Sequence, residues 1–182
     1  MAIQLPGVLR GVGNVVRNAS VAQQVVAAAT RTYLAGSALA APPGGWTAGT
    51  RLRWRFNMTK TAAGIAASTF DICFGTAGTV ADTARVSFAK PAGTAAADEG
   101  FVDIEAVIRS VSATGVVAGT FKMDHNLAAT GHATIPTVTV TTVSGAFDLT
   151  VDQLIAGVCL TSGAADAITV ELVTAEATSV QA

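Results

Sequence analysis

Aromatic residues are scarce in this chain, and so is charge. Phe, Trp and Tyr make up 5% of its 182 residues, and Asp, Glu, Lys and Arg only 13%. With 51% hydrophobic residues and so few charges, the chain is expected to collapse, which excludes disorder over its length. The formal net charge of −1 sets up no global field, so neither nucleic acid nor an acidic membrane surface is an expected partner. Long apolar runs are missing too, and no stretch approaches the ~18 residues that a membrane-crossing helix needs. Pro6, Gly7, Arg10, Gly11 and Gly13 interrupt the opening residues, which make a poor secretory signal. There are two cysteines, Cys73 and Cys159, both in predicted strands. They read as buried free thiols; a disulfide is not demanded in a chain this long.

The usual signatures of chemistry are thin. Gly11-Val12-Gly13-Asn14 lacks the third glycine of a dinucleotide fingerprint and has no convincing strand before it. No phosphate loop or nucleophile elbow is present in the sequence. Asp98, Glu99, Asp103 and Glu105 cluster loosely, and a solvated strand face explains them better than a glycosidase pair or calcium site. His125 and His132 fall in one polar loop, 124–136; they read as surface or loop-packing residues, with a metal site as the sharper alternative. No catalytic residue, cofactor site or metal site is expected.

What is present is alternation. In Arg51-Leu52-Arg53-Trp54-Arg55-Phe56-Asn57-Met58 the large apolar residues take every second place and the polar ones the rest. That period of two marks a β-strand with one dry face and one wet face. Trp54 and Phe56 are then core anchors, and Arg51, Arg53 and Arg55 form a basic ladder on the opposite face. Three such charges repel one another if unpaired. They pair with carboxylates across the strands, with those of a neighbouring subunit at an interface, or with nucleic acid. The last is weakened because the aromatics lie on the other face.

Further strands are predicted at 69–74, 85–88, 101–111, 116–123, 137–143, 154–160 and 168–173, separated by turns rich in Gly, Ser, Asp and Thr. Residues 20–40 are read as extended, and Pro42-Pro43-Gly44-Gly45 breaks the chain. Asp98-Glu99-Gly100 reads as a turn, and 175–182 carries no strong pattern. No helical pattern alternates with these strands, so the expected class is all-β: an antiparallel β-sandwich of jelly-roll type with an extended N-terminal arm. The arm takes residues 1–19 and the domain residues 20–182. Ile3, Leu5, Val8 and Leu9 make the arm sticky while its glycines keep it pliable, which suits either a solvated tail or an arm docked on a neighbour.

Several turn-rich segments carry a family likeness: Thr32 to Leu39, Gly49 to Trp54, Lys60 to Gly64, Phe74 to Thr79 and Ala81 to Ala84. Over roughly residues 30–175 the chain resembles small jelly-roll structural proteins of tailed bacteriophages. The resemblance implies a non-enzymatic virion protein, made in the bacterial cytoplasm. It implies a capsid decoration or cement protein, with a tail-tip, baseplate or fibre component binding a host glycan as the alternative. A homo-oligomer, a trimer by that likeness, and the major capsid or other virion proteins are the implied partners. Interface residues expected on this reading are Arg51, Arg53, Arg55, Ile3, Leu5, Val8 and Leu9; Trp46 and Tyr33 are expected to pack, with a stacking platform for a glycan as the alternative.

Overall fold

A computed structural model describes residues 15–26, 29–135, 137–163 and 168–179. They form twelve strands: β1 (Val15–Ser20), β2 (Gln24–Val26), β3 (Arg31–Tyr33), β4 (Leu39–Ala40), β5 (Arg51–Lys60), β6 (Ser68–Gly75), β7 (Thr83–Lys90), β8 (Asp98–Ser110), β9 (Val116–His125), β10 (Thr137–Val143), β11 (Ile155–Ser162) and β12 (Ile168–Thr178). Two antiparallel sheets result. The larger runs β1-β12-β5-β8-β9-β10, with β2 also on β12; the smaller runs β3-β11-β6-β7, with β4 also on β11. The chain is an all-β sandwich of jelly-roll type, and it crosses between layers after β2, β4, β5, β7, β10 and β11.

The alternating strand is β5, and its place in the larger sheet is interior, between β12 and β8. Its apolar side faces the smaller sheet. Leu52, Trp54, Phe56 and Met58 are all buried, as are Val102, Ile104, Ala106 and Ile108 of β8 and Phe121 and Met123 of β9. Phe70, Ile72 and Phe74 of β6, Val86 and Phe88 of β7, and Ala156, Val158 and Leu160 of β11 close over them from the other layer. The few aromatic rings concentrate here. Phe56 stacks near Phe70 (6.1 Å), Phe70 meets Phe121 (4.7 Å) and Phe121 meets Phe88 (6.0 Å), a chain that crosses the layers repeatedly. The buried indole N–H of Trp54 donates to the Ser37 carbonyl at 2.7 Å, so the largest core side chain carries no orphaned donor.

Three features depart from the sequence reading. Residues 15–19, assigned to the arm, are strand β1, because each pairs with β12 from Val15–Thr178 to Ala19–Thr174. Residues 175–178 are strand as well: a bulge between Glu171 and Thr174 resets the register, and the inward residues beyond it are small alanines, which blunted the pattern. Asp98-Glu99-Gly100 opens β8, paired to Lys60, Thr59 and Met58. In β6, Asp71 and Cys73 point away from the core and are buried too, Cys73 as the sequence predicted. Residues 1–14, which include Ile3, Leu5, Val8 and Leu9, lie outside the described residues.

Both cysteines are free and buried. Interaction with the Cys159 thiol, then burial, push Cys73 well above the usual thiol range; its Sγ donates to the Asp71 carbonyl at 3.5 Å and accepts from the Arg31 guanidinium at 2.7 Å. Cys159 pairs with Tyr33 of β3, and at Gly157, two residues before it, an added Cβ would lie 1.8 Å from the Tyr33 hydroxyl. Replacing Trp54 by Ala is expected to lower stability by about 3–5 kcal/mol through the lost transfer energy and the cavity left behind. A denaturant titration followed by tryptophan-independent circular dichroism measures it.

Candidate functional site

The outer face of the larger sheet is where the sequence-predicted polar residues come together. Strand pairing arranges them in rows that run across the strands. One row reads Arg17, Glu176, Arg53, Glu105, Thr120, Thr141; the next reads Ala19, Thr174, Arg55, Asp103, Lys122, Thr139. Cations and carboxylates alternate along each, an arrangement that opposite-charge pairs across strands favour.

Arg53 sits at the middle of this lattice. Its Nε donates to Asp103 Oδ1 at 2.9 Å and its Nη2 to the other oxygen of the same carboxylate, and Nε also lies 3.1 Å from Glu105 Oε1. The Asp103 hydrogen bond and the nearby carboxylates raise the Arg53 pKa further above its ordinary value. Arg55 Nε lies 3.6 Å from Asp103 Oδ2, Arg51 Nη2 lies 3.3 Å from Glu105 Oε2, and Arg17 Nε lies 2.9 Å from Glu176 Oε2. The three arginines of β5 thus find carboxylates of β8 in the same chain. Arg17 and Arg51 remain largely exposed, with side chains 73% and 69% accessible, so their pairs are worth a fraction of a kcal/mol. A groove of about 600 Å³ runs between β1 and β5, lined by Arg17, Asn18, Arg53, Arg55, Thr174 and Glu176.

At the far end of β8 a second depression of about 350 Å³ is lined by Asn57, Glu99, Phe101, Asp124, Asn126 and Glu171. Phe101 is 42% exposed and stands opposite Asn57 and Asp124 on the flanking strands. It was not singled out from sequence, where the alternation of β8 marks it only as an outward residue. Trp46 is buried, and Tyr33 is half-buried with its hydroxyl over Gly157, so both pack as expected and neither offers the alternative stacking platform.

The histidines lie beneath this end of the sheet, and neither is on the surface. His125 is the last residue of β9; its ring nitrogens face Asp98 Oδ2 at 2.7 Å and the Ile135 carbonyl. His132 is fully buried, with Nε2 3.1 Å from the Met58 carbonyl. Its main-chain N–H donates to Asp98 at 2.9 Å, beside Gly131, where φ is +82° and an added Cβ would strike the Asp98 carboxylate at 2.1 Å. Burial works against the Asp98 carboxylate, but the N–H groups of His132 and Glu99 and the His125 ring outweigh it and hold Asp98 below its ordinary value. Two buried lysines complete the cluster. Lys90 donates to the Pro91 and His132 carbonyls at 2.7 Å each, and Lys60 to those of Thr61, Thr94 and Ala96. Burial, then the charge of Lys60, lowers Lys90 to about 8. Burial and the charge of Lys90 push His132 down to about 4. Each of these groups holds main chain, that of loops except where His132 meets Met58 of β5 and Asp98 meets Glu99 of β8, and among the described residues no three His, Cys, Asp or Glu side chains are placed to hold a metal ion.

No protein family's sequence profile matches the chain, and no curated protein sequence matches it. Solved structures do resemble it. They include arcelin-5, a lectin-like defence protein from Phaseolus vulgaris, at 8% identity and a TM-score of 0.41 over 93% of each chain. A legume lectin-like domain from Entamoeba histolytica aligns at 8% identity and a TM-score of 0.28, over 84% of this chain and 90% of that one. The CBM2 module of the evolved Dit of Lactobacillus casei BL23 phage J-1 aligns at 14% identity and a TM-score of 0.33, over 76% and 67%. At these identities and scores the likenesses carry no information about function.

His132 gives the cluster a pH signature. Its pKa is about 4 in the fold against 6.5 for an unperturbed histidine, so the unfolded chain takes up the proton first as pH falls. The corresponding stability is complete above pH 6.5 and is lost on descending to pH 4, by about 3 kcal/mol. Denaturant midpoints measured across that window are expected to fall for the wild type and to fall less for His132→Gln, whose amide keeps a donor near the Met58 carbonyl. Equal slopes would contradict the assignment.

Proposed function

We propose that the chain is a non-enzymatic structural protein of a bacteriophage virion: a decoration or cement protein that assembles as a trimer and lies against the major capsid or other virion proteins. The observation that carries this reading is the outer face of the larger sheet. Its charges are paired within the chain, along and between the rows, which leaves a broad and nearly neutral surface suited to contact over area. The next row outward holds the exposed residues Val15, Arg51, Val107 and Val143, so an apolar margin borders the charged lattice. Arg51 uses one of five guanidinium donors on Glu105, which leaves donors for carboxylates of a neighbour. The turn segments that resemble phage jelly-roll proteins support the same setting. In this reading Ile3, Leu5, Val8 and Leu9 supply the apolar contact with the capsid lattice.

A second reading, a tail-tip or fibre component that binds a host glycan, is favoured by Phe101. An exposed ring flanked by Asn57, Asp124, Asn126 and Glu171 offers a stacking plane beside amide and carboxylate partners for hydroxyl groups.

Deletion of residues 1–14 keeps β1, which pairs with β12, and is the direct test. The truncated protein is expected to stay folded and oligomeric and to lose binding to virions of the phage that encodes it. Undiminished binding would overturn the arm's role. Gold-labelled antibody on intact virions is expected on the heads. Label confined to tail tips, with glycan-array binding that Phe101→Ala abolishes, would replace the first reading by the second. Release of product from host cell-wall polymers would overturn both.

A further inference from the structure

Strand β10 is an edge strand of unusual composition. Its seven residues, Thr137 to Val143, contain no charge, no glycine and no proline, and four of them, Thr137, Thr139, Thr141 and Val143, are exposed on one face of a regular ladder. Sheet edges in natural proteins are kept from pairing with other chains by short length, charge, proline or bulges. The other edges here follow that rule. β2 and β3 have three residues each and β4 two; β1 carries Arg17; β7 carries Arg85 and is offset by a bulge against β6. β10 has none of these guards, and its register with β9 is unbroken from Thr137–Asp124 to Val143–Ala118.

The ladder also fixes which main-chain groups are free. The Ser144 N–H donates to the Val117 carbonyl at 2.8 Å, one step beyond the Val143–Ala118 pair. Hydrogen-bonded and non-bonded pairs alternate along an antiparallel ladder, so Val138, Val140 and Thr142 also turn their N–H and C=O groups toward β9. Thr137, Thr139, Thr141 and Val143 then turn theirs to the open side. The bond from the Asn126 N–H to the Glu99 carbonyl sets the same phase on the other side of β9. Among the described residues no main chain pairs with that open side.

We infer that β10 pairs with β10 of a second copy of this chain, antiparallel about a two-fold axis, so that two seven-stranded sheets join into one. The strand is complementary to itself. Centred on Val140, the pairing sets Thr139 against Thr141 of the other copy and Thr137 against Val143, and all of these are residues whose main-chain groups face outward. Threonine pairs across strands are favourable, and no charge opposes a like charge. The nearest charged side chains, Lys122 and Asp124, stand one strand back, opposite Thr139 and Thr137. The inward side places Val138 and Val140 in line with the core of each copy. A two-fold joins copies in pairs, so it links neighbouring trimers rather than building the trimer. In that respect the inference rests on the assembly proposed above and deepens it.

The full chain is tested by light scattering after size exclusion. Thr139→Pro with Thr141→Pro removes two outward N–H groups and no bond to β9, a placement edge strands tolerate. Thr139→Lys with Thr141→Lys keeps the main chain intact and puts like charges opposite each other across the two-fold. The wild type is expected to show an even multiple of the chain mass, and each double variant half of it, with an unchanged circular-dichroism spectrum for at least the lysine pair. A wild-type mass of three chains, or an even mass that neither variant alters, overturns the edge pairing and leaves the proposed function standing. A single-chain mass overturns the pairing and the oligomeric virion reading together. If deleting residues 1–14 halves the mass and the edge variants do not, the occupant is the arm and the inference fails.

Discussion

The structure depends on one strand having two different sides. β5 presents Leu52, Trp54, Phe56 and Met58 to the interior and Arg51, Arg53, Arg55 and Asn57 to the outside, and it is hydrogen-bonded along both edges. A one-residue slip of either neighbour would put its carboxylates, Asp103 and Glu105 of β8 or Glu176 of β12, in the core, so the hydrophobic pattern locks the register of the whole larger sheet. A chain with few aromatics has little choice about where to spend them. Phe56 and Phe121 from one layer and Phe70 and Phe88 from the other meet at the centre, and small or β-branched side chains fill the margins.

The same register organises the outside. Because β12, β5, β8 and β9 are aligned, the arginines of β5 are flanked by Glu176, Asp103 and Glu105, and the charges neutralise one another within a single chain. One end of the sandwich is closed differently. Loops that cannot extend a sheet are held there by Lys60 and Lys90 on carbonyl groups, and by Asp98 on the N–H groups of His132 and Glu99. Buried charges are costly unless fully bonded, and these three are bonded repeatedly. The loops between β7 and β8 and after β9 are thereby fixed beneath the depression that holds Phe101.

Much of this architecture was legible in the sequence, because period-two alternation reports directly on the two environments of a strand. β5 and β8 to β10 announce themselves in this way. β12 beyond its bulge did not, since Ala175 and Ala177 face inward but are too small to mark a face. β6 has a second buried side that alternation alone does not report: Arg31, which also holds the turn that carries Asp82, lies over Asp71 and Cys73, and both are buried. The histidines could not be placed, because their burial depends on Asp98 and Lys90, each more than twenty-five residues away. The carboxylate partners of the arginine ladder lie about fifty residues on, and only the strand order of the sheet brings them alongside.

Amide hydrogen exchange tests the central role of β5 most directly, because protection follows the stability of the unit each amide belongs to. The account expects the β5 and β8 amides to exchange most slowly of all, at the rate set by global unfolding, with the 61–67 loop exchanging rapidly. If the β5 amides exchanged as fast as that loop while the smaller sheet stayed protected, β5 would not be the strand on which the fold is built.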